Sequence, residues 1–134
     1  MGSDKGGALD LDSVTRVFAA DPGVLAVYLL GSAVSGRLRT DSDVDLAVMP
    51  EPGHSFDASR MLELAAEATL ELGRDVDPGV LSSSNLVYAR EALLAGVRIF
   101  SRDDFRADLS AATLLGLYDR FQAERREVLD AFTA

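Results

Sequence analysis

The sequence predicts an α/β (α+β) fold: a small mixed β-sheet flanked by helices, with a further helix at the C-terminus. Three observations carry that expectation. The run Val24–Leu30 is continuously apolar, rich in strand formers, and ends abruptly at Gly31-Ser32. The stretch Asp43–Met49 alternates aspartate with aliphatic residues before turning apolar. Helical periodicity then takes over, interrupted by further short strand-like segments, and such alternation is the pattern of layered helices on a sheet.

Each element has its own signal. Leu11, Val14 and Phe18 fall at helical spacing, and Asp21-Pro22-Gly23 closes that helix with a turn. Val24–Leu30 reads as a buried strand and Asp43–Met49 as a second. From Ser55 to Leu72 the pattern is helical. Met61, Ala65, Ala68 and Leu72 form its apolar stripe, Glu63, Glu67 and Glu71 the opposite face, and Gly73 its cap. A third strand is predicted over Arg74–Asp77, interrupted by Pro78-Gly79. Ser82-Ser83-Ser84 offers N-caps for a helix reaching Ala95, which Gly96 stops. Val97–Phe100 makes a short fourth strand, and Asp103–Phe132 a helix with an expected break near Gly116. Residues 1–134 read as a single domain whose residues 1–8 are a frayed terminus.

Composition narrows the function. Of 134 residues 48% are hydrophobic, enough for a real core. The absence of cysteine removes disulfides and thiolate metal sites and suits a reducing cytoplasm. The longest apolar run is too short to span a bilayer, and the polar N-terminus has no apolar signal region, so a cytoplasmic protein without a membrane partner is expected. A net charge of −9 repels phosphate backbones and argues against nucleic acid as the main ligand. A basic protein partner or a metal-neutralised nucleotide fits that charge better. Lys5 is the only lysine, so lysine chemistry in the body of the domain is excluded, and His54 lies in a Pro-Gly-His-Ser loop that reads as solvated.

The informative stretch runs from Gly31 to Leu46. Gly31-Ser32 follows a strand at a predicted helix start, where a glycine permits a tight turn and free N–H groups with the Ser32 hydroxyl suit a phosphate. The same dipeptide also serves geometry alone in many strand-to-helix turns. Asp43 and Asp45 are two apart on a predicted strand and so project from one face. Adjacent carboxylates repel, and a sheet accepts them where the face meets solvent or where a divalent cation binds. Asp75 and Asp77 repeat the spacing on the third strand, so one of them stands beside the first pair if the strands are neighbours. Three carboxylates converging near a phosphate-binding turn are what two-metal nucleotidyl transfer requires.

Gly31-Ser32, ten residues, then Asp43-Val44-Asp45-Leu46 resembles the signature of the DNA-polymerase-β-like nucleotidyltransferase superfamily. More narrowly, the chain is similar to the minimal nucleotidyltransferases (MNT), short proteins commonly paired with HEPN-domain toxins. The resemblance extends to the third-strand aspartate, to Glu91–Asp103 and to Leu117–Phe121. It implies a nucleotidyltransferase fold in which Gly31 and Ser32 hold nucleotide phosphates, joined by Arg37 and Ser42, with Arg39 near the triphosphate and Gly36 capping a short helix. It further implies that Asp43, Asp45 and Asp77 are the catalytic carboxylates and bind Mg²⁺ as two ions, with ATP as substrate. Asp77 takes the third place ahead of Asp75, although Pro78-Gly79 departs from the uninterrupted strand of similar proteins.

After a long helix the sequence has little left to enclose a small acceptor, so a macromolecular acceptor with its own hydroxyl is the expectation. The resemblance points the same way, to transfer of AMP from ATP onto a tyrosine of a HEPN toxin, with the chain as antitoxin. Two alternatives stay open: a catalytically weak module that neutralises the toxin by binding, and an enzyme that modifies a small molecule such as an antibiotic. Leu114, Leu117, Phe121, Val128 and Phe132 approximate an apolar stripe that serves as core or as an interface with the toxin or a second copy in a homo-oligomer.

Overall fold

The computed structural model describes residues 9–31, 34 and 43–133. Among them, in chain order, are α1 (Leu11–Ala19), β1 (Val24–Leu29), β2 (Val44–Pro50), α2 (Ala58–Leu72), β3 (Val76–Val80), α3 (Leu86–Ala95), β4 (Val97–Ser101) and α4 (Asp104–Thr133). The strands form one mixed sheet in the order β3-β2-β1-β4. β1 pairs antiparallel with both β2 and β4, whereas β2 and β3 run parallel. A parallel pair needs a crossover, and α2 supplies it.

Alternation along the strands divides the core in two. Val27, Leu29, Val44, Leu46, Val48 and Val76 face α1 and α2, where Phe18, Leu64 and Ala68 close over them. Leu25, Tyr28, Ala47, Met49 and Leu81 face the other way, beneath Ala89 and Ala92 of α3 and Ala107 of α4. Every residue of β1 is buried, which is why it reads as an unbroken apolar run rather than an alternating one. β2 alternates because Asp45 lies on the α3/α4 side at the open end of its layer. The Asp57 side chain caps α2 by accepting from the Arg60 N–H at 2.8 Å, and Gly73 ends that helix in the left-handed conformation, φ 78°.

Three sequence expectations need correction. The third strand does not stop at Asp77 but continues through Pro78-Gly79 to Val80. The Asp75 carbonyl accepts from the Val44 N–H and the Leu81 N–H donates to the Val48 carbonyl, so alternate residues from 75 to 81 turn towards β2. Pro78 is out of phase with them and turns its nitrogen to the free edge, where a missing N–H costs no ladder bond. Val76 shares that outward phase and donates to the Thr69 Oγ1 of α2 at 3.0 Å. Second, α3 begins after Asn85 rather than from the serine run, and the Ser82 and Ser84 hydroxyls bond each other at 2.8 Å. Third, α4 is continuous across Gly116, since an interior glycine costs only about 1 kcal/mol against alanine and the rest of the segment is strong helix former.

At 30 residues α4 is about 45 Å long, more than the body beneath it can cover. From Ala123 to Thr133 every residue is exposed. No helix among the described residues is long and apolar enough to cross a membrane. The layering makes a stability prediction. Leu64 is 0% exposed and Leu70, on the same helix, 83% exposed. Leu64→Ala is expected to cost about 2–5 kcal/mol in urea unfolding, and Leu70→Ala less than about 0.5 kcal/mol.

Candidate active site

The parallel register sets the site. Asp45 of β2 is the direct partner of Asp77 of β3, and the Val44 N–H to Asp75 carbonyl bond of 2.9 Å locks the alignment. Partners in a ladder project from the same face, so the two carboxylates stand side by side about 4.8 Å apart at the backbone. Asp43, two residues before Asp45, projects to the same side. All three aspartates are exposed on the face that α3 and α4 only partly cover. Asp75 lies one pair back and contributes its carbonyl to the ladder; the register makes Asp77, not Asp75, the neighbour of Asp45.

Crowding of like charge is visible in Asp45. Partial burial first, then the charges of Asp77 and Asp43, hold its carboxyl above the ordinary carboxylate range. Gly31 sits immediately beyond β1 with φ 65°, and a Cβ placed there would lie 3.6 Å from the Asp45 Oδ2. The left-handed backbone is what requires glycine, and it brings the start of the predicted phosphate turn against the carboxylate. The Leu30 N–H donates to the Asp45 carbonyl at 3.0 Å, and the Val34 N–H returns to the Gly31 carbonyl at 3.1 Å. Ser32, Arg37 and Ser42, with Gly36 and Arg39, lie outside the described residues. His54 is far from this end of the sheet, packed over Gly23 and edge-on to Phe56 at 4.6 Å.

Tyr88 of α3 is the residue that sequence reasoning missed. Its hydroxyl donates to the Leu46 carbonyl at 3.5 Å and lies so close over Gly79 that a Cβ there would meet it at 2.3 Å. Burial, then the charges of Asp45 and Asp77, raise its phenol above the usual value, so it stays a neutral hydroxyl beside the two carboxylates. Leu30, Asp45, Leu46, Asp77, Gly79 and Tyr88 enclose a cleft of about 200 Å³. The available signal was Gly79 itself, since an isolated strand glycine marks a close approach.

Among the described residues no three acidic or histidine side chains come close enough to hold a metal ion unaided. The donor set nevertheless fits a hard cation that draws its remaining ligands from substrate phosphates: oxygen-only and mutually repelling.

A family model described as "Polymerase beta, Nucleotidyltransferase" matches residues 12–105. The chain belongs to the polymerase beta nucleotidyltransferase family. It is also 30% identical over 111 residues to the protein adenylyltransferase MntA of Shewanella oneidensis, an alignment covering 81% of this chain and 76% of that protein. Among solved structures it resembles a chain of a toxin–antitoxin complex with AMP-PNP, with TM-score 0.76 and 26% identity, covering 94% of this chain and 100% of that one. The fold recurs in a complex of tri-AMPylated Shewanella oneidensis HEPN toxin with MNT antitoxin, with TM-score 0.69, 24% identity and coverage of 92% and 95%. The nucleotidyltransferase fold expected from the Gly31–Leu46 signature is therefore the observed one, and the chain is a nucleotidyltransferase domain.

The raised Asp45 carboxyl has a pH consequence. Between its unfolded and folded values the native state holds more protons, so stability falls as pH rises through that window. Without metal, Asp45→Asn is expected to raise the unfolding temperature at neutral pH. The gain should disappear once the pH falls below the window, which thermal unfolding across a pH series measures.

Proposed function

We propose that the chain transfers AMP from ATP, with Mg²⁺, to a tyrosine hydroxyl of a partner HEPN toxin and so acts as its antitoxin. The observation that carries this reading is the in-register Asp45–Asp77 pair, with Asp43 on the same face and the Gly31 turn against it. The named activity of the 30% identical relative supports the choice of adenylyl transfer. In this reading Gly31, Ser32, Arg37 and Ser42 hold the nucleotide phosphates, while Asp43, Asp45 and Asp77 hold two Mg²⁺ ions. Bound there, the ions would neutralise charge on the nucleotide and the departing pyrophosphate and favour the acceptor phenoxide. Asp77 takes the acceptor proton as the hydroxyl oxygen bonds to the α-phosphorus and the bond to pyrophosphate breaks. A protein acceptor would supply the opposite wall of the site.

The partner surface is assigned to the projecting half of α4. Phe121, Val128, Leu129 and Phe132 are exposed there, Phe132 at 84%. Apolar residues at helical spacing on an otherwise uncovered helix suit an apolar groove on a protein partner.

The nucleotide site is tested without a partner. Thermal unfolding with Mg²⁺ and each of the four ribonucleoside triphosphates is expected to show a metal-dependent rise, largest with ATP. A ligand at a hundred times its Kd adds about 2.7 kcal/mol. The rise should vanish in the Asp43→Asn/Asp45→Asn double variant. No shift with any nucleotide would favour a toxin-binding module without catalysis.

A further inference from the structure

The proposed reaction ends on a tyrosine hydroxyl, and one tyrosine of this chain already borders the carboxylates. Tyr88 of α3 helps enclose the cleft that holds Asp45 and Asp77. Its hydroxyl rests over Gly79 and donates to the Leu46 carbonyl at 3.5 Å, a bond at the long limit that holds the oxygen only weakly. The other two tyrosines are engaged elsewhere. Tyr28 is buried and accepts from the Arg98 guanidinium at 3.1 Å. Tyr118 lies on α4, where its hydroxyl accepts from the Gln122 amide at 2.7 Å. Neither lines the carboxylate cleft.

Strand order gives the cleft a direction. Gly31 follows β1 on one side of Asp45, while Asp77 and Gly79 belong to β3 on the other. Phosphates gathered at the Gly31 turn put the departing pyrophosphate towards β1. An attacking oxygen stands roughly in line with the leaving group and opposite it, which is the β3 side, where the Tyr88 hydroxyl sits. We propose that Tyr88 is an adenylyl acceptor within its own chain, so that the domain labels itself when no protein acceptor is present. This inference rests on the nucleotidyltransferase reading of the carboxylate cleft. The Tyr88 Oη bonds to the α-phosphorus of ATP, the bond from that phosphorus to pyrophosphate breaks, and the phenolic proton passes to the Asp77 carboxylate. The products are free pyrophosphate and AMP joined to the phenol as a phosphodiester. AMP held there occupies the cleft that a second ATP needs, so a chain that labels itself closes its own site.

The whole chain is incubated with Mg²⁺ and ATP, without any protein partner, and followed by intact mass and peptide mapping. The expected product carries one AMP on the peptide that contains Tyr88 and keeps it after unfolding and removal of Mg²⁺. Labelling should be absent in Tyr88→Phe, whose ring keeps its seat on Gly79, and in Asp43→Asn/Asp45→Asn. Gly79→Ala retains the phenol but displaces its oxygen, since a Cβ there would lie 2.3 Å from it. Labelling of that variant should slow by about tenfold to a hundredfold, the scale of a misplaced reacting atom. Metal-dependent thermal stabilisation by a non-hydrolysable ATP analogue reports nucleotide binding independently. A wild-type chain that the analogue stabilises but ATP leaves at its unmodified mass would overturn this inference alone. So would AMP mapped to another residue, or an unchanged rate in Gly79→Ala. Neither stabilisation nor labelling would overturn the nucleotidyltransferase reading and this inference with it.

Discussion

Parallel pairing of β2 with β3 forces Asp45 and Asp77 onto adjacent strands, on one face and in one register. Sheets ordinarily avoid like charges at paired positions, because the repulsion subtracts from the ladder that holds the strands together. Here the cost is met by the surroundings. Val44, Leu46, Val48 and Val76 are buried on the opposite face beneath α2, and the Thr69 hydroxyl bonds the outward-turned Val76 amide. The crossover helix therefore does more than connect. It clamps the two strands in the one alignment that brings the carboxylates together, and it leaves their own face open.

That division of labour explains the two unlike layers. The α1/α2 layer is closed and apolar, with Phe18, Leu64 and Ala68 packed over the strands. The α3/α4 layer is built from small residues, Ala89, Ala92 and Ala107, so the helices lie close at the centre and leave clefts at the edges. Tyr88 belongs to both descriptions. It packs tightly over Gly79 and at the same time presents its hydroxyl beside two carboxylates. Residues that satisfy packing and border charge in this way are where local rules are broken for function.

Most of the element order was legible in the sequence because hydrophobic period is a local property. The Asp43–Asp45 pair was legible for the same reason, as was Gly73, which closes α2 in the left-handed conformation. The partner of Asp45 was legible only through the family resemblance, since spacing alone leaves Asp75 and Asp77 equal and the register that separates them belongs to the sheet. The continuation of β3 through Pro78 depends on that strand being an edge, which is a fact of topology. Tyr88 was hidden because an aromatic residue early in a helix is ordinary core by its spacing. Only its contact with Gly79, nine residues earlier in the chain and on another element, marks it out. The serine run misled because hydroxyls that bond each other do not cap a helix.

In the proposed function Asp45 and Asp77, as register partners, share a cation with the nucleotide phosphates. The most direct measurement is Mn²⁺ affinity by electron paramagnetic resonance, with a non-hydrolysable ATP analogue present, in the wild type, Asp77→Asn and Asp75→Asn. Asp77→Asn is expected to weaken Mn²⁺ binding by at least the roughly tenfold that even outer-shell partners are worth, while Asp75→Asn leaves it unchanged. Unaltered affinity in Asp77→Asn, or a loss confined to Asp75→Asn, would contradict it.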